Sequence, residues 1–410
     1  MTSSPERKRL LHVVSGLLEG GAEWMLYRLL RRLPEHGFDS EVLSLSDTEP
    51  MGAKMREVGV TVHALGLDRS RPRPWGVVTL AAEIRKRRPD VIQSWMYHAD
   101  LAAGAAAKLA GGIPVVWGLH HANLDESDKA STLRVAKSCA LLSSRLPRSI
   151  VCCSEATRAA HAEMGYCKSK LRVIPNGFDL AEFRPDESVR TTLRRELDLN
   201  AGTPLIGMVA RYDPNKDHAN LFRAAAMVTA QVPDARFVLC GRDVTWSNTE
   251  LLSTIGAAGM ERRTVLLGSR TDVPRILAAL DIYVSSSLGE ALPLVLGEAM
   301  ASGVPCVATD VGDSAAVVGD TGFIVPPGDP EALGSAVLGL LEAGRDERVR
   351  RGIAARERIR AAYSLDRTAA VYGSLYREVT STDRWNVLSS IRCRKERDDR
   401  PLRSARRASP

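Results

Sequence analysis

The stretch Asp281-Ile-Tyr-Val-Ser-Ser-Ser-Leu-Gly-Glu290-Ala-Leu-Pro293-Leu-Val-Leu-Gly-Glu298-Ala-Met-Ala-Ser-Gly303-Val-Pro-Cys-Val-Ala-Thr309 reads as strand, loop, helix and strand. Ile282 to Val284 is a short apolar run with β-branched residues, as in a buried parallel strand. Ser285 to Gly289 has loop chemistry. Pro293 suits a helix start, where its missing N–H is no loss. Leu294 to Ser302 is built of good helix formers, Gly303 is a natural stop, and Pro305 to Ala308 begins the next strand.

Two carboxylates stand out in this nearly uncharged segment. Glu290 lies in the loop just before the helix. Glu298 lies four residues after Leu294, on the same helix face. The unpaired N–H groups near Leu294 and Val295, together with the helix dipole, favour an anion such as phosphate. A carboxylate beside them can accept hydrogen bonds from sugar hydroxyls. An anion site flanked by two hydroxyl acceptors describes a pocket for a nucleotide sugar.

The string E-A-L-P-L-V-L-G-E-A-M-A-S-G-V-P resembles the E-x7-E signature of retaining glycosyltransferases of the GT-B fold, family 4. The resemblance runs over roughly residues 10 to 380. It implies an α/β architecture of two Rossmann-like, doubly wound domains facing across a cleft. The expected division is an acceptor domain over 1–183 and a nucleotide-sugar domain over 184–364. A helix over 365–380 would then cross back to the first domain, ahead of a tail over 381–410.

The bulk properties agree with two such domains. At 410 residues and 44% hydrophobic content the chain can bury ample core. It has no apolar run of about 18 residues, so no spanning helix is expected, and its polar start does not resemble a signal peptide. Seven scattered cysteines without a C-x-x-C argue against a disulfide framework or a zinc site and fit a cytoplasmic setting. Eight Arg/Lys against three Asp/Glu fall in 386–410, so most of the net charge of +7 sits in the tail. No nucleic-acid-binding signature accompanies it. The tail reads as solvated, with a peripheral contact to anionic lipid open to it.

In the first half, an apolar strand over Arg9 to Ser15 leads through Gly20-Gly21 into a helical run from Trp24 to Leu33. Strand, glycine loop and helix suit a phosphate approach, although G-x-G-x-x-G is absent. In the family this loop lies across the cleft and meets the donor diphosphate or the acceptor. Strands and helices then alternate. Pro114 to Leu119 is a strand with His120 and His121 at its carboxyl end, where ligands bind in such sheets. His120 aligns with a histidine that the family places beside the transferred sugar; His121 and His98 are alternatives. Ser154 reads as a helix cap. Val173-Ile-Pro-Asn176-Gly177 resembles the family segment that closes the first domain. Arg184 to Asn200 reads as a charged, helical connection.

The second half restarts with the strand Pro204 to Ala210, which ends at Arg211-Tyr-Asp-Pro-Asn-Lys216. Arg211 and Lys216 match the family's arginine and lysine there, with Ala210 in place of the usual glycine. Transfer builds negative charge on the departing diphosphate, and a fixed Arg and Lys can meet it. No D-x-D triplet occurs, so neither a metal ion nor another cofactor is expected. Thr264 to Gly268 leads into the segment with which the family reads the nucleobase. At Gly312-Asp313-Ser314 the family's usual glutamate is missing, which leaves a carboxylate role there in doubt.

The leading expectation is therefore a retaining hexosyl- or N-acetylhexosaminyl-type transferase. It would use a nucleotide-diphosphate sugar, with UDP favoured, and a glycan, lipid-linked or small-molecule acceptor. His120, Glu290, Arg211 and Lys216 are the expected catalytic residues. Gly20, Gly21, Arg211, Lys216, Leu294, Val295 and Glu298 are the expected donor-binding residues. A non-catalytic sugar-nucleotide-binding protein and an NAD(P)-dependent oxidoreductase are the alternatives.

Overall fold

The computed structural model describes residues 7–67, 74–122 and 130–381. The basic tail beyond Ser381 lies outside them. Strands β1 (Lys8–Val14), β2 (Phe38–Ser44), β3 (Thr61–Ala64), β4 (Val91–Trp95), β5 (Val115–Leu119), β6 (Ser149–Cys152) and β7 (Leu171–Val173) form one sheet. Its order is β3-β2-β1-β4-β5-β6-β7. Strands β8 (Leu205–Val209), β9 (Arg236–Cys240), β10 (Thr264–Leu266), β11 (Ile282–Ser285), β12 (Cys306–Thr309) and β13 (Phe323–Val325) form the other. Its order is β10-β9-β8-β11-β12-β13. Every strand pairing is parallel.

Parallel neighbours need crossovers, and the intervening helices cover both faces of each sheet. That is why β4, β5, β6, β8, β11 and β12 are buried along their whole length. It is also why their sequences are mostly apolar rather than alternating, with Gln93 and Ser94 of β4 as buried polar residues. In both sheets the chain starts in the middle, winds to one edge, then returns past its first strand and winds to the other. The direction reverses between β1 and β4, and again between β8 and β11. Loops leaving the carboxyl ends of those strands go to opposite faces, so a crevice opens between them.

The two lobes are tied by the chain on both sides. After β7, the Phe178 amide donates to the Tyr363 carbonyl at 2.9 Å, and the Leu365 amide to the Phe178 carbonyl at 3.0 Å. Gly177 lies in the segment expected to close the first domain. A Cβ there would come within 2.7 Å of Leu365 Cα, so backbone proximity is what excludes a side chain. Helix Leu365–Thr380 then crosses back and buries Leu365, Ala369, Tyr372, Leu375, Tyr376 and Val379 against Leu10, Phe38 and Val91 of the first lobe. Arg172 grips Glu378 with both prongs at 2.6 Å.

Two segments differ from expectation. The helix expected over Arg184 to Asn200 spans only Glu187–Glu196. The Asp186 carboxylate caps its start by accepting from the Ser188 and Val189 amides, and Asp198 turns out of it at φ +54°. Helix Ser314–Val318 and strand β13 were not foreseen; both are too short to show a period. Among the described residues no helix is long and apolar enough to cross a membrane.

Candidate functional site

The crevice of the second sheet is held by loops from β8 and β11. Past β8, the Arg211 Nε donates to Asp213 at 2.9 Å, with the Arg211 side chain half exposed. The Asp213 carboxylate also accepts from the Asn215 amide and starts the turn Pro214–Lys216. Past β11, the Ser286 hydroxyl donates to the carbonyls of Lys216 at 2.8 Å and Asp217 at 3.0 Å. The Leu288 amide donates to the Asn215 carbonyl at 2.8 Å. These bonds fix the two loops against each other. They bring the Lys216 ammonium onto Glu290 Oε1 at 2.5 Å, where the Ser287 hydroxyl also donates at 2.7 Å.

A third loop lies against the backbone of Glu290. Gly312 has φ +55°, and a Cβ on it would lie 2.3 Å from the Glu290 carbonyl oxygen. Only glycine serves there, for both conformation and room. The Asp313 amide donates to the Ala291 carbonyl at 3.1 Å. Helix Leu294–Ala301 then begins at Pro293 with no side chain capping it. Its first amides, at Leu294 and Val295, are left as open donors.

The first lobe contributes a different kind of surface. A cavity of about 30 Å³ at the ends of β1 and β4 is lined by Val14, Ser15, Ala22, Glu23, Trp95 and Met96. Met96 has φ +70°, a conformation that costs a non-glycine residue energy and is often found at functional sites. The Trp95 Nε1 donates to His12 Nδ1 at 3.2 Å, and the Trp95 ring stacks on His120 with centroids 4.9 Å apart. Both nitrogens of His120 are sealed from solvent and have no protein partner. Burial pushes its pKa down to about 4, so the imidazole is neutral at neutral pH.

Three contacts join the lobes across the cleft. Gly21, at the start of helix Gly21–Leu30, faces Leu294; a Cβ on it would lie 3.1 Å from Leu294 Cδ1. From the same helix, Arg28 donates through Nη2 to Glu298 Oε1 at 2.6 Å, with both side chains buried. The Asp313 carboxylate accepts from the Glu155 amide at 2.8 Å and the Ala156 amide at 2.9 Å. Those amides open helix Glu155–Met164, whose third amide, at Thr157, is capped by Ser154 at 3.0 Å.

The structure thus pairs Lys216 with Glu290, and sets Gly21 against Leu294. Gly20 is the residue before that helix, with extended backbone and Glu23 folded toward it. Arg211 and Glu298 are bonded to Asp213 and Arg28, respectively. The contacts of His120 lie within the first lobe. Arg28 and Trp95 were not singled out from sequence. Arg28 carried a signal, because it follows Gly21 by seven residues and so shares its helix face. Asp313 was left in doubt and here bridges the lobes.

Comparisons with known proteins agree with this layout. Residues 19–182 match the model of glycosyltransferase family 4, and residues 203–343 match that of glycosyl transferases group 1. The UDP-Gal:α-D-GlcNAc-diphosphoundecaprenol α-1,3-galactosyltransferase of Escherichia coli is 24% identical over 346 residues, 82% of this chain and 89% of that one. A D-inositol 3-phosphate glycosyltransferase of Corynebacterium urealyticum is 32% identical over 233 residues, 54% of each chain. The crystal structure of Anabaena HepE in complex with UDP superposes with a TM-score of 0.79 at 22% identity, over 90% of this chain and 100% of that one. That likeness shows the GT-B fold. With one family model on each lobe, this chain belongs to the group 1, family 4 glycosyltransferases and is a glycosyltransferase.

Proposed function

We propose that the enzyme transfers a sugar from a UDP-sugar to a hydroxyl of a glycan or lipid-linked acceptor, with retention of the donor's anomeric configuration. The observation that carries this reading is the Lys216–Glu290 pair at the reversal point of the second sheet, beside the open amides of Leu294 and Val295. In a nucleotide sugar the anomeric carbon lies between the diphosphate and the sugar hydroxyls. A cation for the first and a carboxylate for the second must therefore be neighbours. Here Arg211, Lys216 and the Leu294 and Val295 amides take the diphosphate. Glu290 accepts from hydroxyls of the transferred sugar, and Glu298 from the ribose. The neutral His120, with both nitrogens free of protein partners, bonds the sugar from the first lobe once donor binding uncovers its ring. Gly20 and Gly21 let the first helix close over the donor.

The bond from the anomeric carbon to the β-phosphate oxygen breaks as the acceptor oxygen bonds the same carbon on the same face. The acceptor proton passes to the departing diphosphate. The charge that develops there is met by Arg211 and Lys216, and no metal ion is invoked. UDP as the base-bearing half is supported by HepE, solved with UDP and with UDP-glucose, and by the Escherichia coli relative, named for UDP-Gal. That relative's name also specifies a lipid-diphosphate acceptor.

A hydrolysis screen over UDP-, GDP- and ADP-sugars tests the donor, and NMR of the product tests the stereochemistry. We expect turnover of a UDP-sugar and an α-linked product from an α donor. Turnover of GDP- or ADP-sugars alone, or a β linkage, would contradict the reading.

A further inference from the structure

The carboxylate assigned above to the donor ribose is held from the opposite lobe. Glu298 lies on helix Leu294–Ala301 and is 6% exposed. Its Oε1 is bonded by Arg28 of helix Gly21–Leu30, 270 residues earlier in the chain. The guanidinium sits over the ring of Phe183 at 5.2 Å and that of Trp24 at 5.9 Å, so aromatic faces from the connecting segment and from its own helix enclose it. The neighbouring buried positions of that helix are Met25, Leu26, Leu29 and Leu30. An apolar residue at 28 would pack there without the desolvation cost of a buried guanidinium. What an apolar residue could not do is accompany a buried carboxylate.

The pairing is one-pronged. Nε and Nη1 of Arg28 have no hydrogen-bond partner. A two-pronged grip would occupy both carboxylate oxygens. Here Oε2 of Glu298 takes no bond from any described residue and keeps contact with solvent. One oxygen is fixed and the other is free to accept.

We propose that Arg28 is a positioning residue for donor binding. It fixes Glu298 across the cleft so that Oε2 presents itself to the ribose 2′-hydroxyl, and the ribose subsite is complete only with the lobes together. This rests on the reading of Glu298 as the ribose acceptor.

The test compares donor KM and kcat for the wild type, Arg28→Met, Arg28→Lys and Glu298→Gln, using UDP-glucose and its 2′-deoxyribose analogue. With the ribose donor, Arg28→Met should raise donor KM about tenfold, the worth of one charge-assisted bond, with kcat at saturating donor within about twofold. Arg28→Lys, which keeps the charge, should recover most of that loss. With the deoxy donor, the wild type and Arg28→Met should converge, because the bond that Arg28 supports is absent from both. A KM penalty of the same factor on both donors, or none on either, overturns the proposal. Should Arg28→Met fail to fold, Arg28→Gln, which keeps polar donors without the charge, carries the same comparison. If Glu298→Gln raises KM for the ribose donor and the Arg28 variants do not, the proposal alone fails. If Glu298→Gln also leaves that KM unchanged, the ribose reading of Glu298 fails as well.

Discussion

The two sheets reverse direction in the same way, yet their crevices are furnished oppositely. At the end of β8 and β11 the charges are already matched: Lys216 on Glu290, with Ser286 holding the Lys216 backbone, Ser287 the Glu290 carboxylate, and Gly312 close against the Glu290 backbone. At the end of β1 and β4 the floor is aromatic, and the His120 stacked on it is uncharged and unbonded. A diphosphate has fixed geometry and charge, so a site for it can be built rigid and paired in advance. An uncharged imidazole against an indole suits a neutral sugar, whose hydroxyls supply the missing hydrogen bonds. The shared fold sets where each site lies, and the loops set what each one can hold.

The largest effect should therefore come from the second lobe. Lys216→Ala should lower kcat/KM by about 10²–10³, the usual worth of one donor to a developing oxyanion. Initial rates of UDP release would show it. A loss under tenfold would break the contrast, because the charge would then be met elsewhere.

The first lobe should reveal itself through pH. Burial holds the His120 pKa at about 4 in the fold, against an ordinary value of 6.5 in the unfolded chain. Between those values the unfolded chain binds the extra proton, so the folded state loses stability as pH falls from 6.5 toward 4. The loss is up to about 1.4 kcal/mol per pH unit from this residue. His120→Phe, which keeps a ring on Trp95, should lose stability less steeply over that window in thermal melts. Parallel curves would show that the ring is not held neutral by burial.

His120→Ala should cost up to about tenfold in kcat with the sugar donor, the worth of one neutral hydrogen bond. A loss as large as that of Lys216→Ala would erase the division between the lobes. Least of all, Gly21→Ala should raise donor KM about threefold, because its Cβ crowds Leu294 and the side chain can shift at small cost. A lowered melting temperature with donor KM unchanged would place Gly21 outside the donor site.

Much of this was legible in the sequence because parallel strands buried on both faces leave continuous apolar runs, and glycine, proline and capping residues mark their ends. Helix Leu294–Ala301 starts where expected and ends one residue short of Ser302, and Lys216 and Glu290 were each singled out, although their direct pairing was not. Contacts between lobes were not legible. Arg28 meets Glu298, and Asp313 meets the helix at Glu155, only through the relative placement of two separately folded sheets. No local period encodes that. Arg211 was expected to meet the diphosphate, and its pairing with Asp213, two residues on, was not foreseen. Neither Gly177 nor Gly297 showed its reason in the sequence. The first is cleared for Leu365, and the second for Phe178, whose ring would lie 2.1 Å from a Cβ. Such distances belong to packing, which sequence spacing does not report.

The most direct test is a crystal structure of the enzyme with UDP bound. The account predicts the diphosphate at the start of helix Leu294–Ala301, in contact with Lys216 and the Leu294 and Val295 amides, and the ribose on Glu298. Density for UDP with its phosphates away from Lys216 and that helix start would contradict it.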